Sequence, residues 1–291
     1  MLSYLVIGGL TSGAIYGLVA LGIVLVYKAT GTINFAHGEF LMIAGFLAYT
    51  LYVILGLPYG VAMAGAVVLG FALGAIAERV AFRPLMRANM VSLVLATVGI
   101  SFILKGAGRT LWGGRGDYLA FPPLFSPDPI LMGDIILIPQ QLVVLAGAAL
   151  VMGVFALFFR LTRVGKTMQA TADNPKAARL VGVHVEQVHM LAFGVGAAVA
   201  GAAAVLMAPI TLLYPDIGFS LFIKGFAAAV LGGLNSMPGA LIGGLVIGVI
   251  ESLAGGYIGT SFLEVSAFVV IMITLIFRPS GLLGTTAVRR A

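Results

Sequence analysis

The chain has 291 residues, of which 61% are hydrophobic and 9% are charged, and its formal net charge is +6 at pH 7. Soluble domains typically carry about 25% charged residues, so this composition excludes an ordinary soluble domain and indicates an integral membrane protein. Because most basic residues lie in or beside loops predicted on one membrane face, the positive charge follows the positive-inside rule and does not indicate nucleic-acid binding. The absence of cysteine excludes disulfides, thiolate metal sites and cysteine nucleophiles.

Continuous apolar runs of about 20 residues predict membrane-spanning helices, whereas a β-barrel would show alternating apolar and polar residues. We therefore predict an all-α polytopic bundle, forming a single transmembrane domain over 1–291, with about eight spans and one short or discontinuous segment. The spans are expected at Leu5–Tyr27, Phe40–Leu57, Val61–Phe82, Val91–Gly106, Leu142–Phe159, Val188–Ile210, Ala240–Ile258 and Phe262–Phe277, and the short segment at Leu221–Leu234. Glycines four residues apart, such as Gly13 and Gly17, are expected to let these helices pack closely.

The distribution of charge predicts how the helices are oriented. The first 27 residues carry no charge, so we expect the first span to be retained rather than cleaved as a signal peptide. The basic loop around Arg79, Arg83 and Arg87, the segment 160–188 and the C-terminus are predicted to be cytoplasmic. The segment 108–140, in which acidic residues balance the basic ones, is predicted to be external. The N-terminus is then outside.

A polar break separates the first two spans and contains Asn34, His37 and Glu39. Ionisable residues near membrane depth are functional hypotheses by default, so these three are candidates for the translocation pathway or its gating. The alternative interpretation is a solvated cytoplasmic turn.

The segment 160–188 is the longest polar stretch, with five basic residues against two acidic ones. Asn174 is a suitable helix cap, Pro175 suits the first helical position, and Gly182 can end the helix, so a short helix is predicted over Pro175–Val181. It would carry apolar surface beside Lys176 and Arg179, formed by Ala177, Ala178, Leu180 and Val181. Exposed apolar surface next to charge favours a docking site for a partner, and the alternative is a connector lying on the bilayer.

The same segment contains Gly165-Lys166-Thr167, which resembles the end of a phosphate-binding loop. That motif needs a glycine where Arg160 stands, and it needs a preceding strand. We therefore expect no ATP or other cofactor to be bound by this chain, and we identify no catalytic residues and no metal site.

The region from Lys224 to Gly244 is a half-length apolar segment interrupted by glycine and proline, which is typical of a discontinuous helix lining a cavity. It supplies further pathway candidates: Lys224, Gly232, Gly233 and Asn235. The alternative for its glycines is close helix packing. Glu251 lies inside a predicted span, where an acid costs about 2.5–3.5 kcal/mol, so it should face the protein interior or a partner. Lys105 and Glu264 lie near span ends and are expected to snorkel.

Four separated motifs resemble a known family. The segment from Lys176 to Gly182 resembles the coupling motif of the membrane subunits of ATP-binding-cassette importers, with Lys176 where glutamate is usual. The longer run ATADNPKAARLVG resembles the branched-chain amino-acid permeases, which group with urea and short-chain amide permeases. Further similar stretches are Asn34–Glu39, Glu78–Leu85 and Leu231–Gly244.

The resemblance implies one permease subunit of an importer in the bacterial inner membrane, working by alternating access. Its partners would be a second homologous permease, two cytoplasmic ATPases that bind ATP and magnesium, and a periplasmic or extracellular binding protein. Coupling to the ATPases is then expected at Asp173, Asn174, Pro175, Lys176, Ala177, Ala178, Arg179, Leu180 and Gly182. Branched-chain or related small apolar amino acids are the expected cargo. Urea or amide transport is one alternative, and a proton-coupled transporter using His37, Glu39 or Glu251 is another.

Overall fold

The structure is a computed structural model, and it describes residues 1–86, 88–113, 118–125, 128–132 and 135–284. Arg87, which the sequence places in the basic loop, lies outside the described residues. The described chain is almost entirely helical. Its helices are α1 (Leu2–Thr30), α2 (His37–Tyr49), α3 (Tyr59–Ala77), α4 (Arg83–Leu85), α5 (Met90–Trp112), α6 (Pro139–Leu161), α7 (Arg163–Asp173), α8 (Pro175–Leu180), α9 (Val185–Met207), α10 (Ile217–Gly232), α11 (Met237–Tyr257) and α12 (Phe262–Phe277). Short π-helical stretches extend α2 over Thr50–Ile54 and α3 over Glu78–Phe82.

The predicted all-α polytopic bundle is confirmed. Within the described residues, seven helical stretches are long and apolar enough to cross a membrane, and two shorter apolar helices, α10 and α12, accompany them. The segment predicted to be short is α10. Helix α12, which the sequence suggests as a full span, has 16 residues. At 1.5 Å per residue it is about 24 Å long, less than the thickness of a bilayer core of about 30 Å.

The described residues of the predicted external segment 108–140 form local structure. Helix α5 continues through its first residues to Trp112, whose indole Nε1 donates to Thr50 Oγ1 at 2.9 Å and whose ring stacks on Phe46. Strands β1 (Ile130–Met132) and β2 (Ile135–Leu137) then form a small antiparallel pair. An isolated bridge joins Leu119 to Leu213, so this segment is held against the connection between α9 and α10.

Helix α1 lies at the centre of the bundle and is buried along most of its length. It packs against α11 so closely that a Cβ atom on Gly13 would lie 2.7 Å from the carbonyl oxygen of Gly244. A Cβ atom on Gly9 would lie 2.8 Å from the carbonyl oxygen of Gly248. The predicted close packing of glycines is therefore present where α1 crosses α11, because only glycine leaves room for the two backbones.

A matched pair of glycine substitutions tests the importance of this contact. Gly13→Ala should destabilise the protein by about 1–3 kcal/mol, as expected for an atom inserted into a well-packed interior. Gly99 of α5 has open space around its Cβ position, so Gly99→Ala should be neutral or stabilise the helix by up to about 1 kcal/mol. The measurement is the thermal unfolding midpoint of the purified protein in detergent. Equal midpoints for the two variants would contradict a central role for the α1–α11 contact.

Candidate functional site

Helix α8 has the local structure that its sequence predicts. The Asn174 side chain accepts a hydrogen bond from the backbone N–H of Ala177 at 3.0 Å, and Pro175 occupies the first turn. The helix ends at Leu180, one residue earlier than predicted. Gly182 has φ of +88°, a left-handed conformation that other residues rarely adopt, so it ends the helix as expected.

The apolar tip of α8 is exposed. Leu180 is 89% exposed and Val181 is 80% exposed, and both follow the charged Arg179. The prediction that Ala178 is also exposed is wrong, because this residue is 3% exposed. Ala178 and Leu180 are two positions apart, about 200° around a helix, so when one faces the packed side of α8 the other faces away from it. The two-residue apolar tip is the feature of α8 that can meet a partner.

A series of polar contacts links α8 to the neighbouring helices. Arg179 lies 3.4 Å from a carboxylate oxygen of Glu186, in the first turn of α9. The carbonyl oxygen of Glu186 accepts a hydrogen bond from Arg83 at 3.3 Å, and Arg83 forms an ion pair with the buried Glu78 at 2.9 Å. The basic loop and α8 therefore lie together, and they flank a cavity of about 570 Å³ lined by Arg83, Pro84, Met86, Arg179 and Glu186.

The polar break between α1 and α2 is buried, so the alternative of a solvated turn is wrong. Asn34 is 3% exposed, and His37 and Glu39 are each 1% exposed. Asn34 Oδ1 accepts from the backbone N–H of Ala36 at 3.0 Å, which shapes the entry into α2. The His37 ring packs directly over Gly22 in the middle of α1. The start of α2 therefore lies against the middle of α1, where the absence of a side chain on Gly22 leaves space for the imidazole.

The first turns of α2 and α10 meet at two glycines. A Cβ atom on Gly38 would collide with the backbone of Gly218, and a Cβ atom on Gly218 would collide with the backbone of Gly38. This contact brings the polar break that contains Glu39 next to the start of α10, where Asp216 is the residue before the helix. Two candidate regions that are far apart in the sequence are therefore neighbours in the fold.

Lys224 and Glu251 form a buried ion pair between α10 and α11. The Lys224 Nζ lies 2.5 Å from Glu251 Oε1, and it also donates to the hydroxyl of Tyr16 at 3.3 Å. The side chains of Lys224 and Glu251 are 15% and 7% exposed. Glu251 faces the interior, as predicted, and the ion pair offsets the cost of placing either charge there. The sequence indicates both residues but not that they are partners.

A second charged cluster was not predicted. Lys105, which was expected to snorkel, instead lies 3.1 Å from Asp216, and Arg109 lies 2.8 Å from the other oxygen of the same carboxylate. Burial opposes ionisation of Asp216, but the hydrogen bonds and charges of Arg109 and Lys105 outweigh it and hold the pKa of this carboxyl below its usual range. In the sequence, Lys105 stands at the end of one apolar run and Asp216 stands before a different one. Nothing in this spacing indicates that the two residues pair.

The remaining pathway candidates lie at the turn between α10 and α11. Gly232 packs against the backbone of Gly239, and Gly233, with φ of +107°, packs against Gly284. The backbone N–H groups of Leu282 and Leu283 donate to the carbonyl groups of residues 231 and 232 at 2.7 and 3.0 Å. Asn235 lies in the same turn, with its Oδ1 facing Gly284. The close-packing alternative describes these contacts, and a pathway role for this turn stays a prediction.

Removing one member of the buried ion pair should be costly, and removing both should be less so. Glu251→Gln leaves the Lys224 charge without its carboxylate and should lower stability by about 3–5 kcal/mol. Adding Lys224→Met to that variant should restore much of the loss, because no buried charge is left unpaired. Thermal unfolding midpoints of the three proteins provide the measurement. A double variant less stable than Glu251→Gln alone would contradict the assigned pairing.

Comparison with known proteins extends over nearly the whole chain. A family model described as "Branched-chain amino acid transport system / permease component" matches residues 5–277. The chain is 35% identical to the high-affinity branched-chain amino acid transport system permease protein BraD of Pseudomonas aeruginosa, over 98% of this chain and 96% of the relative. It is 33% identical to the permease protein LivH of Escherichia coli, over 97% and 95%.

A more distant relative gives the same result. The probable branched-chain amino acid transport permease protein LivH of Methanocaldococcus jannaschii is 31% identical, over 92% of this chain and 88% of the relative. The matched region includes the polar break before α2, helix α8 and all the spanning helices except the first three residues of α1. The chain therefore belongs to the family of permease components of branched-chain amino acid transport systems.

Proposed function

We propose that this chain is one permease subunit of an ATP-driven importer that carries branched-chain or related small apolar amino acids across the bacterial inner membrane. The observation that carries the proposal is the family match over residues 5–277, together with the exposed apolar tip of α8 within that match. The relatives are named as permease proteins of branched-chain amino acid transport systems, which supports amino acids as the cargo. The second permease, two ATPases and a binding protein complete the proposed assembly.

In this proposal α8 is the point at which the ATPases act. A short helix that is capped at Asn174 and ended at Gly182 would move as one body when a partner binds its tip. Leu180 and Val181 supply apolar surface to enter a groove of the ATPase, as in other helix-in-groove contacts. Lys176 and Arg179 supply positive charge at the edge of that contact.

The contacts around α8 support a route for the movement. Arg179 contacts Glu186 at the start of α9, and Arg83 joins Glu186 to Glu78 at the end of α3. Helix α9 packs on α1 and α3. A displacement of α8 toward or away from the bundle would therefore reach the central helices through a few short contacts, as expected for a rigid-body change between two states.

The proposed orientation rests on charge. Arg83 and Arg179 line one cavity, so the basic loop and the segment 160–188 lie on the same face of the bundle. Their shared positive charge favours the cytoplasmic side for that face. The ATPases would then meet α8 in the cytoplasm, and the segment between α5 and α6 would face the binding protein outside.

The energy source of transport tests the proposal. In vesicles containing this chain with the second permease, both ATPases and the binding protein, uptake of radiolabelled L-leucine should require ATP. It should persist when an ionophore removes the proton gradient, because the ATPases supply the free energy. Leucine uptake driven by the gradient without ATP would identify a secondary transporter instead. Uptake of labelled urea or acetamide without uptake of leucine would identify an amide permease.

A charge placed on the tip of α8 tests the coupling role. Leu180→Asp should weaken ATPase binding by about 2 kcal/mol or more, as expected for a central interface residue, and should abolish ATP-dependent uptake. Gln169→Asp, which adds the same charge to an exposed position of α7, should leave both unchanged. Co-purification of the ATPases and uptake in vesicles are the two measurements. If Leu180→Asp retains both, α8 is not the docking helix.

A further inference from the structure

A cleft of about 330 Å³ lies beside α10, outside the coupling region. Its lining includes the apolar side chains of Phe219, Ile223 and Phe268, together with Ser220 and Tyr214. The other lining residues are charged: Lys105, Asp216, Lys224 and Glu264. An apolar cleft with a few convergent polar groups is the usual form of a small-molecule site.

The charges in this cleft are balanced. The two ammonium groups, on Lys105 and Lys224, equal in number the two carboxylates, on Asp216 and Glu264, so the lining carries no formal net charge. The lysine side chains are only 18% and 15% exposed, which places both charges in a poorly hydrated environment. Such groups interact more strongly with a ligand of opposite charge than they would in water.

Lys224 has a hydrogen-bond donor to spare. An ammonium group has three N–H donors, and those of Lys224 reach Glu251 Oε1 and the Tyr16 hydroxyl. Among the described residues, no hydrogen bond is assigned to its third donor, and the side chain lines the cleft. Glu251 and Tyr16 therefore fix the position of the Lys224 ammonium group, and one of its N–H groups remains for a ligand.

A second cavity lies next to the cleft. Tyr214 and Asp216 line both the cleft and a cavity of about 450 Å³ whose other residues include Arg109 and Tyr118. Arg109 belongs to the end of α5, next to the segment predicted to be external. The cleft therefore adjoins a cavity that reaches the segment predicted to be external, through Arg109 and Tyr118.

We propose that this cleft binds the cargo as a zwitterionic α-amino acid. The ligand carboxylate accepts a hydrogen bond from Lys224, its ammonium group is held by the carboxylates of Glu264 and Asp216, and its apolar side chain packs on Phe219, Ile223 and Phe268. This proposal rests on the proposed transport of amino acids and adds a binding site within this chain and a reason for its selectivity.

The charge pattern distinguishes a zwitterion from other small ligands. A carboxylic acid without an ammonium group would offer the acidic residues of the cleft no opposite charge, and an amine or amide without a carboxylate would offer Lys224 none. Urea is uncharged, so it would form no ion pair with either the lysines or the carboxylates of the cleft. A ligand that carries an ammonium group and a carboxylate on one carbon atom, together with an apolar side chain, offers a partner to the acidic residues, to Lys224 and to the apolar residues of the lining.

Because the chain has no cysteine, a single introduced thiol can report on the cleft. Ser220→Cys places a thiol in the lining, and Ser3→Cys provides a matched thiol at the exposed start of α1. The complex with the second permease and the ATPases, in nanodiscs without binding protein, is treated with a charged methanethiosulfonate reagent. The rate of modification of this chain is measured with L-leucine, L-leucinamide or isovalerate.

L-Leucine should slow modification of Ser220→Cys several-fold and saturably, without affecting Ser3→Cys. Leucinamide and isovalerate, which each lack one charge, should protect much less. In the Ser220→Cys background, Lys224→Met combined with Glu251→Gln should abolish protection while avoiding an unpaired buried charge. Glu264→Gln, at an exposed position, should weaken protection by leucine. If the double variant does not assemble, the result with Glu264→Gln tests whether the charges of the cleft bind the ligand.

Three outcomes would overturn the assignment: no protection by leucine, equal protection by all three compounds, or protection unchanged in the charge variants. Failure to modify Ser220→Cys at all in an assembled complex would also contradict an open cleft. If leucine uptake remains ATP-dependent while the thiol is not protected, the cleft is wrong and the proposed function stands. If the complex transports no amino acid, the proposed function itself fails.

Discussion

Close backbone contact between α1 and its neighbours is the constraint on which the rest of the structure depends. In a bilayer, lipid tails are as apolar as leucine side chains, so helices gain little free energy by burying apolar surface against each other instead of against lipid. They associate where small residues let their backbones approach. Gly13 on α1 and Gly244 on α11 make such a contact, and a single methyl group on either would fill the space. The position of α11, and with it that of Glu251, follows from this packing.

A bundle packed in this way can bury charged side chains that would be too costly on a single helix in a bilayer. Lys224 and Glu251 lie on different helices, and each would be costly alone in an apolar environment. Because α10 and α11 both pack against α1, the two charges meet and Tyr16 of α1 joins them. The same packing places the start of α10 against the start of α2, so the buried polar break and the charged cleft belong to one region. The coupling helix lies apart from it and reaches it through α9.

Local features of the site could be predicted where their cause is local. Asn174, Pro175 and Gly182 act on residues within one turn, so the bounds of α8 follow from the sequence to within one residue. The orientation of Ala178 could not be predicted in the same way, because it depends on which face of α8 packs against α7 and α9. Glu251 was expected to face the interior from its insertion cost alone. Its partner Lys224 is 27 residues away, and no spacing rule connects the two.

The helical membrane class, the positions of the apolar segments, the basic loops and the bounds of the short polar helix to within one residue all follow from the amino-acid sequence. These properties depend on hydrophobicity, charge and capping, which act over one helix or less. The central position of α1, the burial of the break containing His37 and the pairing of the charges become known from the three-dimensional packing. In a bilayer both lipid-facing and buried helix faces are apolar, so hydrophobic pattern carries little information about which face is inside. Which face of a helix lies inside depends on glycine backbone contacts and on ion pairs between helices that are distant in the sequence.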